Sequence, residues 1–159
     1  MREIKFRAKR IDNGEWVYGK LYECDKFARI ITAFAYTNED GENDGLGQYY
    51  CEAYDVKIDT ICQFTGLYDK DGKEVYESDI VKAKYIEKRD FCGVKYDNEM
   101  EFVELVVWKG QSFQLEIDND GIKMYRHLNF YENLNNIKLK QVEIIGNIFD
   151  NKELLGEQQ

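Results

Sequence analysis

Glu77 and Asp79 stand two residues apart in the run Tyr76-Glu77-Ser78-Asp79-Ile80-Val81. On an extended chain such positions share a face. Two converging carboxylates can hold a metal ion or divide general-acid and general-base work between them. The same pair has a structural reading, as turn and edge residues that accept hydrogen bonds from backbone amides. The chain has a single histidine, His127, and Arg126-His127-Leu128 offers no partner pattern for a catalytic base. Cys24, Cys51, Cys62 and Cys92 form no C-x-x-C pair and show no zinc spacing. They read as small buried apolar side chains. Residues Asn38 to Gly47 carry two Asp-Gly pairs, but glycine comes too early for a calcium loop. Asp69-Lys70-Asp71-Gly72 fails the same template and reads as a tight turn. No metal and no cofactor follows from these patterns.

A second constellation points to nucleic acid. Lys5, Arg7 and Lys9 alternate with Ile4, Phe6 and Ala8, the period of a strand with one wet face. Trp16 and Tyr18 fall on the returning strand, so charge and stacking on one surface could grip a nucleic-acid strand. An ordinary solvated face is the competing explanation. The formal net charge of −9 opposes a polyphosphate partner as a whole.

These residues need elements to hold them. Twelve Tyr, nine Phe and two Trp favour pleated, half-buried surfaces. There is no proline, so turns fall to Gly, Asn and Asp. Asn13-Gly14 predicts a two-residue type I′ hairpin opening the chain. Phe27 to Tyr36 predicts a strand, and Tyr54 to Phe64 an extended segment. Asp71-Gly72 predicts a turn joining the segments around Phe64–Tyr68 and Glu74–Tyr76. After it, Val81, Ala83 and Tyr85 share one strand face. Phe102–Trp108, Phe113–Ile117, Ile122–Tyr125 and Val142–Phe149 complete the strands, with Gly146 as a bulge or close-approach point. Phe130, Leu134 and Ile137 have the spacing of one short helix. Asn151 is placed to cap another over Lys152–Leu155, stopped at Gly156. Asp97, Glu99, Glu101 and Glu104, around Phe102, read as solvated positions.

The fold class is therefore mainly β. The N-terminal β-hairpin subdomain spans residues 1–63, and a small barrel with one or two short helices spans residues 64–159; the two can also form one compact unit. No apolar run approaches the ~20 residues of a membrane span, and the N-terminus lacks an apolar signal region. The expected location is the cytoplasm.

Three blocks carry a resemblance to a known family. The first is Ile4 to Arg10 followed by Asp12 to Gly19. The second is Gln63-Phe64-Thr65-Gly66-Leu67, then Asp69 to Glu74, then Tyr76 to Val81. The third is Ile144 to Phe149 with Asn151, Glu153, Leu154 and Leu155. In these the chain resembles the YopX family of phage and prophage proteins. The family usually has glycine where Ser78 stands, which puts a left-handed turn residue there in question. It often has glycine at Cys62 and proline at Lys152. The resemblance implies a small, mostly β protein encoded by phage or prophage, with a C-terminal part similar to an SH3-like barrel and a place in the host cell's cytoplasm, and it supplies no catalytic residue.

Three functions remain open at this level. One is a non-enzymatic accessory protein acting by protein–protein binding or self-assembly, with edge strands and aromatics as its basis. The second is a nucleic-acid-associated protein using Lys5, Arg7, Lys9, Trp16 and Tyr18. The third is a carboxylate-based metal-dependent enzyme built on Glu77 and Asp79.

Overall fold

The computed structural model of the chain describes residues 3–24, 26–37, 48–119, 121–128 and 137–156, without the side chains of 34–37, 48–50, 91, 119, 127, 137 and 138. Two compact units divide it, Met1–Phe64 and Thr65–Gln159. The fold is mainly β, as the sequence predicts, and both sheets are antiparallel. The Asn38–Gly47 loop, Phe130, Leu134 and the side chain of His127 lie outside the described residues.

In the first unit, β1 (Phe6–Lys9), β2 (Trp16–Cys24), β3 (Phe27–Thr37) and β4 (Gln48–Val56) lie in the order β4-β3-β2-β1. The start of β5 (Cys62–Tyr68) joins the free side of β1, pairing Phe6 with Gln63 and Arg7 with Cys62. Ala8, Ala28, Ile30 and Val56 form the buried core. The β1–β2 hairpin forms where Asn13-Gly14 puts it, but its turn is not type I′. That turn needs positive φ at both central residues, and here only Gly14 has it, at φ 74°. The chain instead makes a longer loop. Arg10 N donates to Glu15 O at 2.9 Å, Gly14 N to Arg10 O at 3.2 Å, and Asn13 Oδ1 accepts from Glu15 N at 3.0 Å. The extended run expected over Tyr54–Phe64 is broken by a 3-10 turn, Ile58–Thr60. Thr60 explains the break. Its hydroxyl donates to Lys57 O at 2.7 Å and accepts from Lys9 N at 2.9 Å, a local bonding pattern that competes with a ladder.

In the second unit, the rest of β5 forms a hairpin with β6 (Glu74–Tyr76) through the Asp71-Gly72 turn, where Gly72 has φ 79°. The remaining strands are β7 (Asp79–Phe91), β8 (Val94–Lys109), β9 (Ser112–Asn119), β10 (Ile122–His127) and β11 (Ile137–Asn147). They form a five-stranded sheet in the order β10-β9-β8-β7-β11. This corrects the barrel expectation. β10 and β11 stand at opposite edges, and closure requires them to pair. The β7–β8 hairpin is also far longer than the short strands of a small barrel, running through twelve registered pairs from Ile80↔Leu105 to Phe91↔Val94. Val81, Ala83 and Tyr85 share the buried face as their alternation predicts, against Val106, Leu115 and Val142.

Ile137 begins β11, so the helical spacing it shared with Phe130 and Leu134 does not hold at that position. The C-terminal helix forms as a 3-10 turn, Lys152–Leu155, but Asn151 gives it no side-chain cap. The Asn151 side chain packs on Gly146 instead, where the β11 register also shifts. The cysteine expectation holds for Cys62, which is buried, and fails for Cys24, Cys51 and Cys92, which are exposed. Cys24 ends β2, Cys51 lies on the edge strand β4, and Cys92 sits at the tip of the β7–β8 hairpin.

Candidate interaction face

The premise that Glu77 and Asp79 share a strand face does not survive folding. Residues 77 and 78 form a turn, and β7 begins only at Asp79. Ser78 takes the left-handed conformation at φ 67°, so the turn in question from the missing glycine is present. Asp79 is buried, and its Oδ2 accepts from Tyr76 N at 2.8 Å. That is the amide-binding role of a turn carboxylate. Among the described residues, no three His, Cys, Asp or Glu side chains are placed to hold a metal.

Two further carboxylates are buried for structural reasons the sequence reading missed or misjudged. Asp69 accepts from Asp71 N at 2.8 Å and Lys73 N at 2.9 Å through Oδ1, and from Ile144 N at 3.3 Å through Oδ2. Glu104, expected to be solvated with its acidic neighbours, is fully buried. It accepts from Tyr85 Oη and, at 2.8 Å, from Arg126 Nη1. The Arg126 guanidinium sits 4.8 Å from the Tyr85 ring centre and 4.7 Å from that of Phe102. The missed signal was alternation. Glu104 has the parity of Phe102 and Val106 in Phe102-Val103-Glu104-Leu105-Val106, the face that turns inward.

Arg7, Lys9, Trp16 and Tyr18 do come together on β1 and β2, since Arg7 pairs with Tyr18 and Lys9 with Trp16, while Lys5 precedes β1. Their surroundings differ from an open groove. Arg7 is 7% exposed and stacks 4.7 Å from the Trp16 ring centre, and Lys9 Nζ lies 5.4 Å from the same ring. Lys5, Lys9 and Trp16 are partly buried; Tyr18 is exposed. The indole is therefore engaged by the chain's own cations, and Arg7 is withdrawn from solvent.

The open chemistry of this unit lies one strand further out. Tyr22, Arg29 and Asp55 are aligned across β2, β3 and β4 by consecutive register pairs, Tyr22↔Arg29 and Arg29↔Asp55. Arg29 Nε donates to Asp55 Oδ1 at 2.6 Å, and its guanidinium lies 5.1 Å from the Phe27 ring centre. Tyr22 and Phe27 stand 6.2 Å apart and are 55% and 39% exposed. Beside Asp55 is a depression of about 340 Å³ bounded by Arg10, Asp12, Ala53 and Tyr54. Arg10 grips Asp12 with two bonds, Nε–Oδ1 at 2.9 Å and Nη2–Oδ2 at 2.5 Å, and stacks 4.1 Å from the Tyr54 ring centre. The Arg10 hydrogen bond holds the Asp12 carboxyl below its ordinary value. Two arginines held in place by carboxylates, with two exposed rings, are the side-chain types that dominate protein interfaces. No sequence spacing announces this group, because residues 26 apart meet only through strand register.

The chain is of the mainly β class, antiparallel and in two units. A family model described as YopX protein matches residues 5–156. The chain belongs to the YopX family. The crystal structure of protein EF1440 from Enterococcus faecalis is similar to it, with a TM-score of 0.56 and 23% identity, over 98% of this chain and 99% of that one. That similarity concerns the fold. No curated protein matches the chain significantly. Among the described residues, no helix is long and apolar enough to cross a membrane.

Proposed function

We propose that the chain is a non-enzymatic phage or prophage accessory protein, working in the host cytoplasm by binding other proteins, itself included. The observation that carries this reading is the face formed by Tyr22, Phe27, Arg29 and Asp55. Its rings are exposed while its charges are already positioned, so little conformational freedom is lost on docking. The buried carboxylates Asp69, Asp79 and Glu104 support it from the other side, because each is engaged in holding strands and turns. The nucleic-acid reading is less well supported, because the Trp16 ring is already engaged by Arg7 and Lys9 and only Tyr18 is exposed.

The test is affinity capture from infected or lysogenic cells, comparing the natural chain with a folded Tyr22→Ala, Phe27→Ala double variant. A protein retained by the first and lost by the second is the expected result. Equal capture by both, or selective recovery of nucleic acid, overturns the proposal.

A further inference from the structure

The β7–β8 hairpin outruns the sheet that carries it. Among the described residues, β11 pairs with β7 as far as Glu87, and β9 pairs with β8 from Leu105 onward. Among the described residues, Lys88 to Asp97 therefore have no strand neighbour except each other. Every residue of this arm with a described side chain is exposed, including Val94 at 66% and Tyr96 at 46%. Its tip is a two-residue loop in which Cys92 (φ 54°) and Gly93 (φ 81°) both have positive φ, the type I′ geometry that keeps a ribbon tightly twisted and in register. A two-stranded ribbon bare on both faces is marginal in water.

One face of the arm has a charge pattern that selects an occupant. Lys88 stands opposite Asp97, and Asp90 stands opposite Lys95. Positive and negative positions thus alternate both along and across the ribbon. Two such faces laid together about a two-fold axis along the strands put Lys88 over Asp97 and Asp90 over Lys95. An axis across the strands puts Lys88 over Asp90 and Lys95 over Asp97. Either two-fold sets opposite charges in contact, so the face is complementary to a copy of itself. Apart from Asp90 Oδ1, which accepts from Gly93 N at 3.0 Å, these side chains have no hydrogen bond or ion pair among the described residues. With three cations against two anions over residues 88–97, the arm carries no field to draw a polyphosphate.

We infer that the arm Lys88–Asp97 is a self-association element that docks face to face on the same arm of a second copy. This deepens the binding role proposed above by naming one partner, at a surface separate from the Tyr22–Phe27 face. One face of a short ribbon is smaller than the roughly 800 Å² per partner of a standard interface, so association is reversible and concentration-dependent.

The experiment is sedimentation equilibrium on the full chain and three variants, each checked for folding by circular dichroism. One carries Lys88→Glu with Lys95→Glu, making the arm acidic. A second carries Asp90→Lys with Asp97→Lys, making it basic. The third replaces Lys88–Asp97 with Asn-Gly, closing the hairpin at the Glu87↔Asn98 pair. The natural chain is expected to dimerise, each charge variant to self-associate about tenfold more weakly, and their mixture to recover a heterodimer. The shortened variant stays monomeric. A monomeric natural chain, charge variants that dimerise unchanged, or a dimeric shortened variant overturns the inference. The shortened variant keeps Tyr22 and Phe27, so its use in the capture experiment tests the broader reading separately.

Discussion

Asp69 fastens the β5–β6 turn to β11 by accepting from Ile144 N at 3.3 Å, while its other oxygen gathers the amides of Asp71 and Lys73. Lys70 N adds a bond to Val142 O at 3.0 Å on the same strand. Asp69→Ala leaves three amides without their acceptor and is expected to lower stability by about 3 kcal/mol. Urea denaturation checks this, and a loss under about 0.5 kcal/mol removes the role.

The same carboxylate sets a pH dependence. Burial works against its ionisation, but the amides of Lys73, Asp71 and Ile144 outweigh burial and hold it below its ordinary value. The folded chain therefore releases this proton more readily than the unfolded one. The stabilisation is complete above the unfolded value of about 3.9 and disappears as pH falls through the lower folded value. Asp69→Asn should flatten the acid limb of stability against pH. An unchanged limb means that another group governs it.

Ser78 holds φ 67° while its N donates to Val106 O at 2.8 Å and its O accepts from Ile148 N at 3.1 Å. A residue with a Cβ is strained there, and glycine keeps both backbone bonds without the strain. Ser78→Gly is expected to stabilise by about 1 kcal/mol, and Ser78→Val to destabilise by more. Thermal melts of the two variants settle it; a lower melting temperature for the glycine variant sinks the argument.

What the sequence revealed, and what it concealed, follows from the range of the interactions. Alternation placed Val81, Ala83 and Tyr85 in the core, because a two-residue period is a local property. Asp71-Gly72 marked its turn for the same reason. Cys92-Gly93 was invisible, since cysteine is no turn former, and the register of two long strands imposes its left-handed φ. Without that turn, residues 86–101 lacked an anchor and the second unit read as a short-stranded barrel. The interaction face was illegible for a related reason. Arg29 and Asp55 lie on strands whose register no local pattern fixes.

Gly146 has a need that alternation cannot show. A Cβ built there would lie 2.6 Å from Asn151 Oδ1 and 2.8 Å from Asn151 Cβ. Gly146→Ala should cost about 1–3 kcal/mol, because both clashing atoms belong to a short, tightly placed side chain. Asn151→Gly removes that side chain, so the double variant should be more stable than the sum of the single effects predicts. Additivity in the double-mutant cycle means that the two residues do not meet.

Glu104 supplies the opposite pH signature to Asp69. Burial pushes its carboxyl above the ordinary value, and the hydrogen bond from Tyr85 and the charge of Arg126 offset that only in part. The folded chain thus holds this proton more tightly than the unfolded one. Its contribution is complete below the unfolded value of about 4.3 and declines as pH rises through the folded value. Glu104→Gln keeps one oxygen to accept from Arg126 and an amide nitrogen to donate to the Tyr85 hydroxyl, but cannot ionise, so its stability should lose that decline. Glu104→Ala instead leaves Arg126 and the Tyr85 hydroxyl without their acceptor, at a cost of about 3–5 kcal/mol. Denaturation at a series of pH values between the two carboxyl ranges separates these effects. If the glutamine variant keeps the natural slope, Glu104 is ionised throughout and Arg126 outweighs burial.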